Sequence, residues 1–165
     1  MKKTLSILSL IFLFATVVEA QTIDKFFKKY SNDDNFEYIS VGKGMMKFAS
    51  IFTDYSVLTD GTLETVTSLK VLKLKKESAT ETLSDKFTKE IEKLIKKGDF
   101  ETSLEKRDKN SSTYIYKRVD KRANADVIVY SKDITGVSVV WLKGKTSQEE
   151  AERFQEEKAT KGKEE

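Results

Sequence analysis

Apolar residues recur at helical spacing most completely between Ser78 and Gly98. Leu83, Phe87, Ile91, Leu94 and Ile95 fall on one face of a single helix. Ser78, followed three residues later by Glu81, predicts a capping box in which each side chain satisfies a backbone donor of the first turn. Lys93, Lys96 and Lys97 gather where the helix dipole favours cations, and Gly98 predicts a left-handed stop. Burying one large apolar side chain contributes about 1.5–3 kcal/mol, so a stripe this complete needs a partner surface.

Strand-like segments on either side supply that partner. Ile23, Phe26, Phe27 and Tyr30 make Thr22–Tyr30 a short amphipathic helix. The polar run from Ser31 to Asn35 is a loop, and Phe36–Val41 alternates as a strand. Beyond Gly42-Lys43-Gly44, residues Met45, Met46, Phe48, Ala49 and Phe52 predict another amphipathic helix. Asp60-Gly61 marks a turn. Thr67–Lys75, Phe100–Lys106, Thr113–Val119 and Asp126–Ser131 read as strands. Val137–Leu142 is the most apolar of them and belongs inside its sheet. Ser147 with Glu150 predicts a final helix anchored by Phe154, with a frayed Lys/Glu-rich end beyond Gln155. Strands segregated from helices mean α+β: a mostly antiparallel sheet with helices packed on one face.

The first twenty residues follow a different pattern. Lys2 and Lys3 precede an apolar run from Leu5 to Val18, and Val18-Glu19-Ala20 resembles a small-residue cleavage site. The expectation is a signal peptide over 1–20, cut after Ala20, then one domain over 21–155 and a charged tail over 156–165. The run is shorter than the ~20 residues of a spanning helix, so no stable membrane span remains after cleavage. The location implied is periplasmic or secreted.

Composition narrows the chemistry. The 165 residues carry a formal net charge of +3. Losing Lys2, Lys3 and Glu19 with the leader takes it to +2. Basic and acidic residues alternate without a basic block, which argues against nucleic acid as a partner. The chain contains no Cys, His or Pro. Disulfides, thiolate nucleophiles, imidazole acid–base work and Cys- or His-ligated metals are therefore excluded.

The remaining candidates are weak against their structural alternatives. Gly42-Lys43-Gly44 sits where backbone amides cradle phosphate, but it matches no phosphate-loop spacing and reads as a tight turn. Asp33 and Asp34 lack the alternating ligands of a calcium loop. Asn110-Ser111-Ser112 fits a glycosylation acceptor by letter alone. Glu101 and Glu105 lie four apart on one strand, and a carboxylate pair is the residue set a hydrolase would need. Tyr114, Tyr116, Tyr130 and Trp141 form a possible ligand or partner surface on the last strands, with cross-strand packing as the alternative.

The order of these segments is familiar. DKFFKKYS follows the leader, YISVGKGMMK enters a helix, and LKVLKL makes a strand. KFTKEIEKLIKKGDFETSLE runs helix into strand, and YIYKR and VSVVWLKGK close the chain. The combination resembles the exported family called domain of unknown function 4252, from Gram-negative envelopes. The resemblance implies a small secreted or periplasmic α+β protein and carries no catalytic, cofactor-binding or metal-ligating residue. The expected role is a non-catalytic envelope module that binds an envelope protein or small ligand and needs no cofactor. A periplasmic carboxylate-dependent hydrolase is the rival.

Overall fold

The computed structural model describes residues 23–43 and 63–161. The leader, the helix expected around Met45–Phe52, the Asp60-Gly61 turn and residues 162–165 lie outside the described residues. Helix α1 covers residues 23–31. It is followed by β1 (Phe36–Gly42), β2 (Thr65–Leu74), a 3₁₀ turn (Lys76–Ser78) and α2 (Glu81–Lys97). The chain continues through β3 (Glu101–Arg107), β4 (Ser111–Val119), β5 (Asn124–Asp133), β6 (Gly136–Lys145) and α3 (Gln148–Lys161).

The six strands form one antiparallel sheet in the order β1-β2-β6-β5-β4-β3. Strands β3 to β6 are a meander, the connection short turns make easiest. The meander brings β6 back beside β2, so α2 must carry the chain across the sheet from β2 to the far edge at β3. Strand β6 holds the apolar run VSVVWL and lies between β2 and β5. An interior position suits it, because both of its faces are covered.

Helices α1 and α2 lie on one face. Phe26, Tyr30, Phe36 and Phe87 interlock there, with ring centroids 4.7–5.4 Å apart. Leu72, Val139 and Trp141 form the floor beneath the helices. Alternation along the strands sends Leu69, Val129, Val140 and Leu142 to the opposite face. Helix α3 packs on that second face, with Ala151 and Phe154 against Val119 and Ala125. The helices are thus divided between the faces, α3 apart from the other two. Its short apolar stripe meets the odd-numbered residues of β4, which point away from α1 and α2.

Several local expectations change. Thr80, not Ser78, caps α2: its hydroxyl accepts from the Leu83 amide, while Ser78 closes the 3₁₀ turn. Gly98 is not left-handed (φ −85°), and Asp99 takes that conformation instead (φ 56°). Glycine is needed at 98 for room, because a Cβ there would sit 2.8 Å from the Phe100 ring. The charged end of α3 is helical through Lys161, tied back by Lys158 to Asp99 and by Lys161 to Glu101.

Candidate functional site

Strands β4 and β3 extend beyond the cover that α1 and α2 provide. The register pairs Tyr114 with Tyr130 and Tyr116 with Ile128, so the three tyrosines share the face that carries the two helices. Tyr114 stacks on Tyr116 (6.1 Å between centroids, 7° between planes) and on Tyr130 (6.1 Å, 26°). Tyr130 is buried beneath α2, whereas Tyr114 and Tyr116 are half-buried. The hydroxyls of Thr88 and Tyr130 are 2.9 Å apart, which ties α2 to the inner end of this shelf.

Acidic residues surround the shelf. Burial raises Tyr116 above the ordinary tyrosine value, and the neighbouring Tyr114, Glu92 and Glu105 raise it further. Burial also raises Tyr130; the Thr88 hydrogen bond opposes this, and Glu92 and Asp85 add to it. The Arg107 guanidinium stands 5.6 Å from the Tyr114 centroid and pairs with Glu105 at 2.5 Å. One cation therefore already rests on the outer ring of the stack, held by a carboxylate.

Trp141 does not belong to this surface, which corrects the fourth member of the expected aromatic patch. It is only 1% exposed. The interior place of β6 puts it under α1, where Phe27 covers its ring at 5.4 Å. Its indole N–H donates to Asp126 at 2.8 Å, and Asp126 also accepts from Arg118 at 2.8 Å. Lys70 and Lys143 flank the ring at 4.8 and 5.1 Å. Trp141 is a structural anchor with its polar atom satisfied.

The expected carboxylate pair also separates. A register shift between Thr102 and Leu104 places Glu101 opposite Lys117 and Glu105 opposite Tyr114. Lys117 and Tyr114 point to different faces of β4, so Glu101 and Glu105 do too. Glu101 pairs with Lys161 of α3 on one side, and Glu105 lies beside the tyrosines on the other. This pair cannot converge on one substrate bond. Asp33 serves its own turn, accepting from the backbone and side chain of Asn35. Gly42 ends β1, Lys43 lies in the turn after it, and Gly44 lies outside the described residues.

Sequence reading missed a second cleft, on the other flank of α2. Lys25, Lys29, Lys93 and Lys97 ring a groove of about 370 Å³ between α1 and α2, with Phe26, Leu94 and Glu90 also lining it. Lys29 holds Glu90 at 2.6 Å. Burial alone would raise Glu90; the Lys29 hydrogen bond, the neighbouring Tyr30, and the charges of Lys29 and Lys86 overcome it and hold the carboxyl below its ordinary range. The seven-residue spacing of Lys86 and Lys93 was the available signal for a basic flank.

A family model described as "Domain of unknown function (DUF4252)" matches residues 30–154. The chain belongs to the DUF4252 family. The matched region of this DUF4252 protein begins at the buried Tyr30 and ends at Phe154, the anchor of α3, and it takes in all six strands and the tyrosine shelf. No curated protein matches the chain, and no solved structure does. Among the described residues no helix is long and apolar enough to cross a membrane.

Proposed function

We propose that this DUF4252 protein is a non-catalytic binding module of the bacterial envelope, and that its shelf of Tyr114 and Tyr116, backed by the buried Tyr130, takes an arginine or lysine side chain of a partner protein. The supporting observation is the shelf itself, stacked rings edged by Asp85, Glu92 and Glu105, with the chain's own Arg107 resting on Tyr114. A cation over an aromatic face gains about 0.5–1 kcal/mol at an exposed site and more when desolvated. Adjacent carboxylates add Coulombic attraction without demanding one fixed geometry. Delivery to the envelope rests on the leader-like pattern of Met1–Ala20, and envelope protein recovered with Gln21 as its first residue is the expected outcome of terminal mass spectrometry.

The site is tested with a fluorescently labelled arginine tripeptide and its citrulline counterpart, which has the same shape without the charge. The arginine peptide is expected to bind, and the citrulline peptide about fivefold more weakly or less. Tyr116→Ala and Glu92→Gln should each weaken the arginine peptide several-fold. Equal binding of both peptides, or a Tyr116→Ala protein that binds as the parent does, would overturn this reading.

A further inference from the structure

We propose that the groove between α1 and α2 seats the phosphate-bearing heads of an anionic lipid bilayer, so that this helical face rests on a membrane surface. The groove and the tyrosine shelf lie on opposite flanks of α2, so the idea stands independently of the shelf's role. Its rim is basic: Lys25, Lys29, Lys93 and Lys97 line it, and all four are exposed. Only Lys29 is engaged, by Glu90; Lys25, Lys93 and Lys97 make no ion pair among the described residues. Further exposed lysines, Lys28, Lys89 and Lys96, continue the charge across both helices. Asp24, the acid of α1, is occupied by Lys70 at 2.6 Å. Glu92 and Asp85 of α2 lie toward the tyrosines instead.

The form of this charge selects a bilayer over a single bound anion. A dedicated phosphate pocket encloses its ligand with backbone amides and rigid donors. Here the donors are long, strongly hydrated lysine side chains above an apolar floor of Phe26 and Leu94, drawn from two helices, with those of α2 running from Lys86 to Lys97. That stretch of α2 is about 17 Å long, more than one phosphate spans and the scale of neighbouring lipid heads. The rest of the molecule suits the orientation. Helix α3, on the other face of the sheet, carries five acidic residues against three basic ones, so an anionic surface would repel that side and attract this one. Juxtamembrane lysines act through diffuse attraction to anionic heads and contribute about fivefold in affinity each.

The test is cosedimentation of the full chain with vesicles of phosphatidylcholine alone and of phosphatidylcholine mixed with phosphatidylglycerol. All variants carry the same leader, with its Lys2 and Lys3, so comparing variants on the mixed vesicles cancels any uptake through it. The chain should bind the mixed vesicles more tightly. The double variant Lys93→Gln/Lys97→Gln should lose about 25-fold of that preference. Neither lysine holds a carboxylate, so the substitution orphans no partner. The control Lys109→Gln/Lys121→Gln removes the same charge from turns outside α1 and α2 and should retain the preference. Three results would overturn the proposal: no difference between the vesicles, equal loss in the two double variants, or release by inorganic phosphate but not by chloride at matched ionic strength. The last would mark a free phosphate as the ligand.

Discussion

Replacing Phe87 tests the packing that fixes both flanks of α2. Phe87 is fully buried, and its ring lies 5.4 Å from Phe26, 4.8 Å from Tyr30 and 4.9 Å from Phe36. One side chain thus joins α2 to α1 and to the first strand. Phe87→Ala removes the ring and leaves a hole that three rigid aromatic neighbours fill poorly, at a cost of about 4 kcal/mol. Phe87→Leu retains much of the volume and loses the ring pairs, worth about 0.5–1.5 kcal/mol each beyond area, so its cost should be about 2 kcal/mol. Urea unfolding followed by Trp141 emission suits the measurement, because this lone tryptophan is buried under Phe27. The alanine cost is a large share of the ~5–15 kcal/mol typical of a domain. Should that variant fail to fold, the leucine variant still gives a value. A cycle with Phe36→Leu should show coupling of about 0.5–1.5 kcal/mol. A loss below about 1 kcal/mol in Phe87→Ala, with an unchanged denaturant slope, would refute the claim that this ring holds α2 in place.

Two further outcomes follow from polar groups on the same face. Asp126→Ala removes the acceptor of the Trp141 indole N–H and the carboxylate facing Arg118, and should cost about 2–3 kcal/mol. Asp126→Asn retains an acceptor and should cost clearly less; equal costs would show that the indole bond contributes nothing. Tyr116, Tyr130 and Tyr30 all have their hydroxyls raised, each chiefly by burial. A group raised on folding binds its proton more tightly in the folded state. Its contribution is therefore complete below the unfolded tyrosine value near ~10 and is lost as pH rises through the folded values. Absorbance titration should show a late-ionising class of tyrosines, and the urea midpoint should fall above that pH. A single transition at the ordinary value would contradict the burial of these hydroxyls.

The legible parts of the fold were those governed by local period. Phe87, Ile91 and Leu94 are the buried residues of α2, as their spacing required. Ile23, Phe26, Phe27 and Tyr30 are buried along α1 by the same rule. The strand alternation of Tyr114 and Tyr116 placed them together correctly. Non-local facts were hidden. Trp141 has the same alternation as Tyr116, and its burial comes from strand order, which puts β6 inside the sheet under α1. The bulge after Thr102 breaks the rule that residues four apart on a strand share a face, so Glu101 and Glu105 part company. No residue in that stretch announces it. The end of α3 looked like a solvated tail because its supports, Asp99 and Glu101, are about sixty residues away in the chain.

The period that buries α2 also sorts its charges. Asp85 and Glu92 are seven apart, so two turns of helix return them to the flank above the tyrosines. Lys86 and Lys93 are also seven apart, one position further on, and Lys97 follows Lys93 by four. About 100° of rotation per residue carries Lys93 and Lys97 to the flank facing α1. Rotation of the helix by one position in one sense would put the acids at the lysine groove, and in the other sense would put the lysines over the tyrosines. The packing of Phe87 against three rings, and the bond from Thr88 to Tyr130, hold the register that prevents this exchange. The binding proposed at the two flanks should therefore be separable by surface substitution and linked through the core. Glu92→Gln should weaken the arginine peptide without changing the vesicle preference, Lys93→Gln/Lys97→Gln should do the reverse, and Phe87→Leu should weaken both. If Phe87→Leu lowered stability yet left both affinities intact, the orientation of α2 would not depend on that ring, and the two surfaces would owe their positions to other contacts.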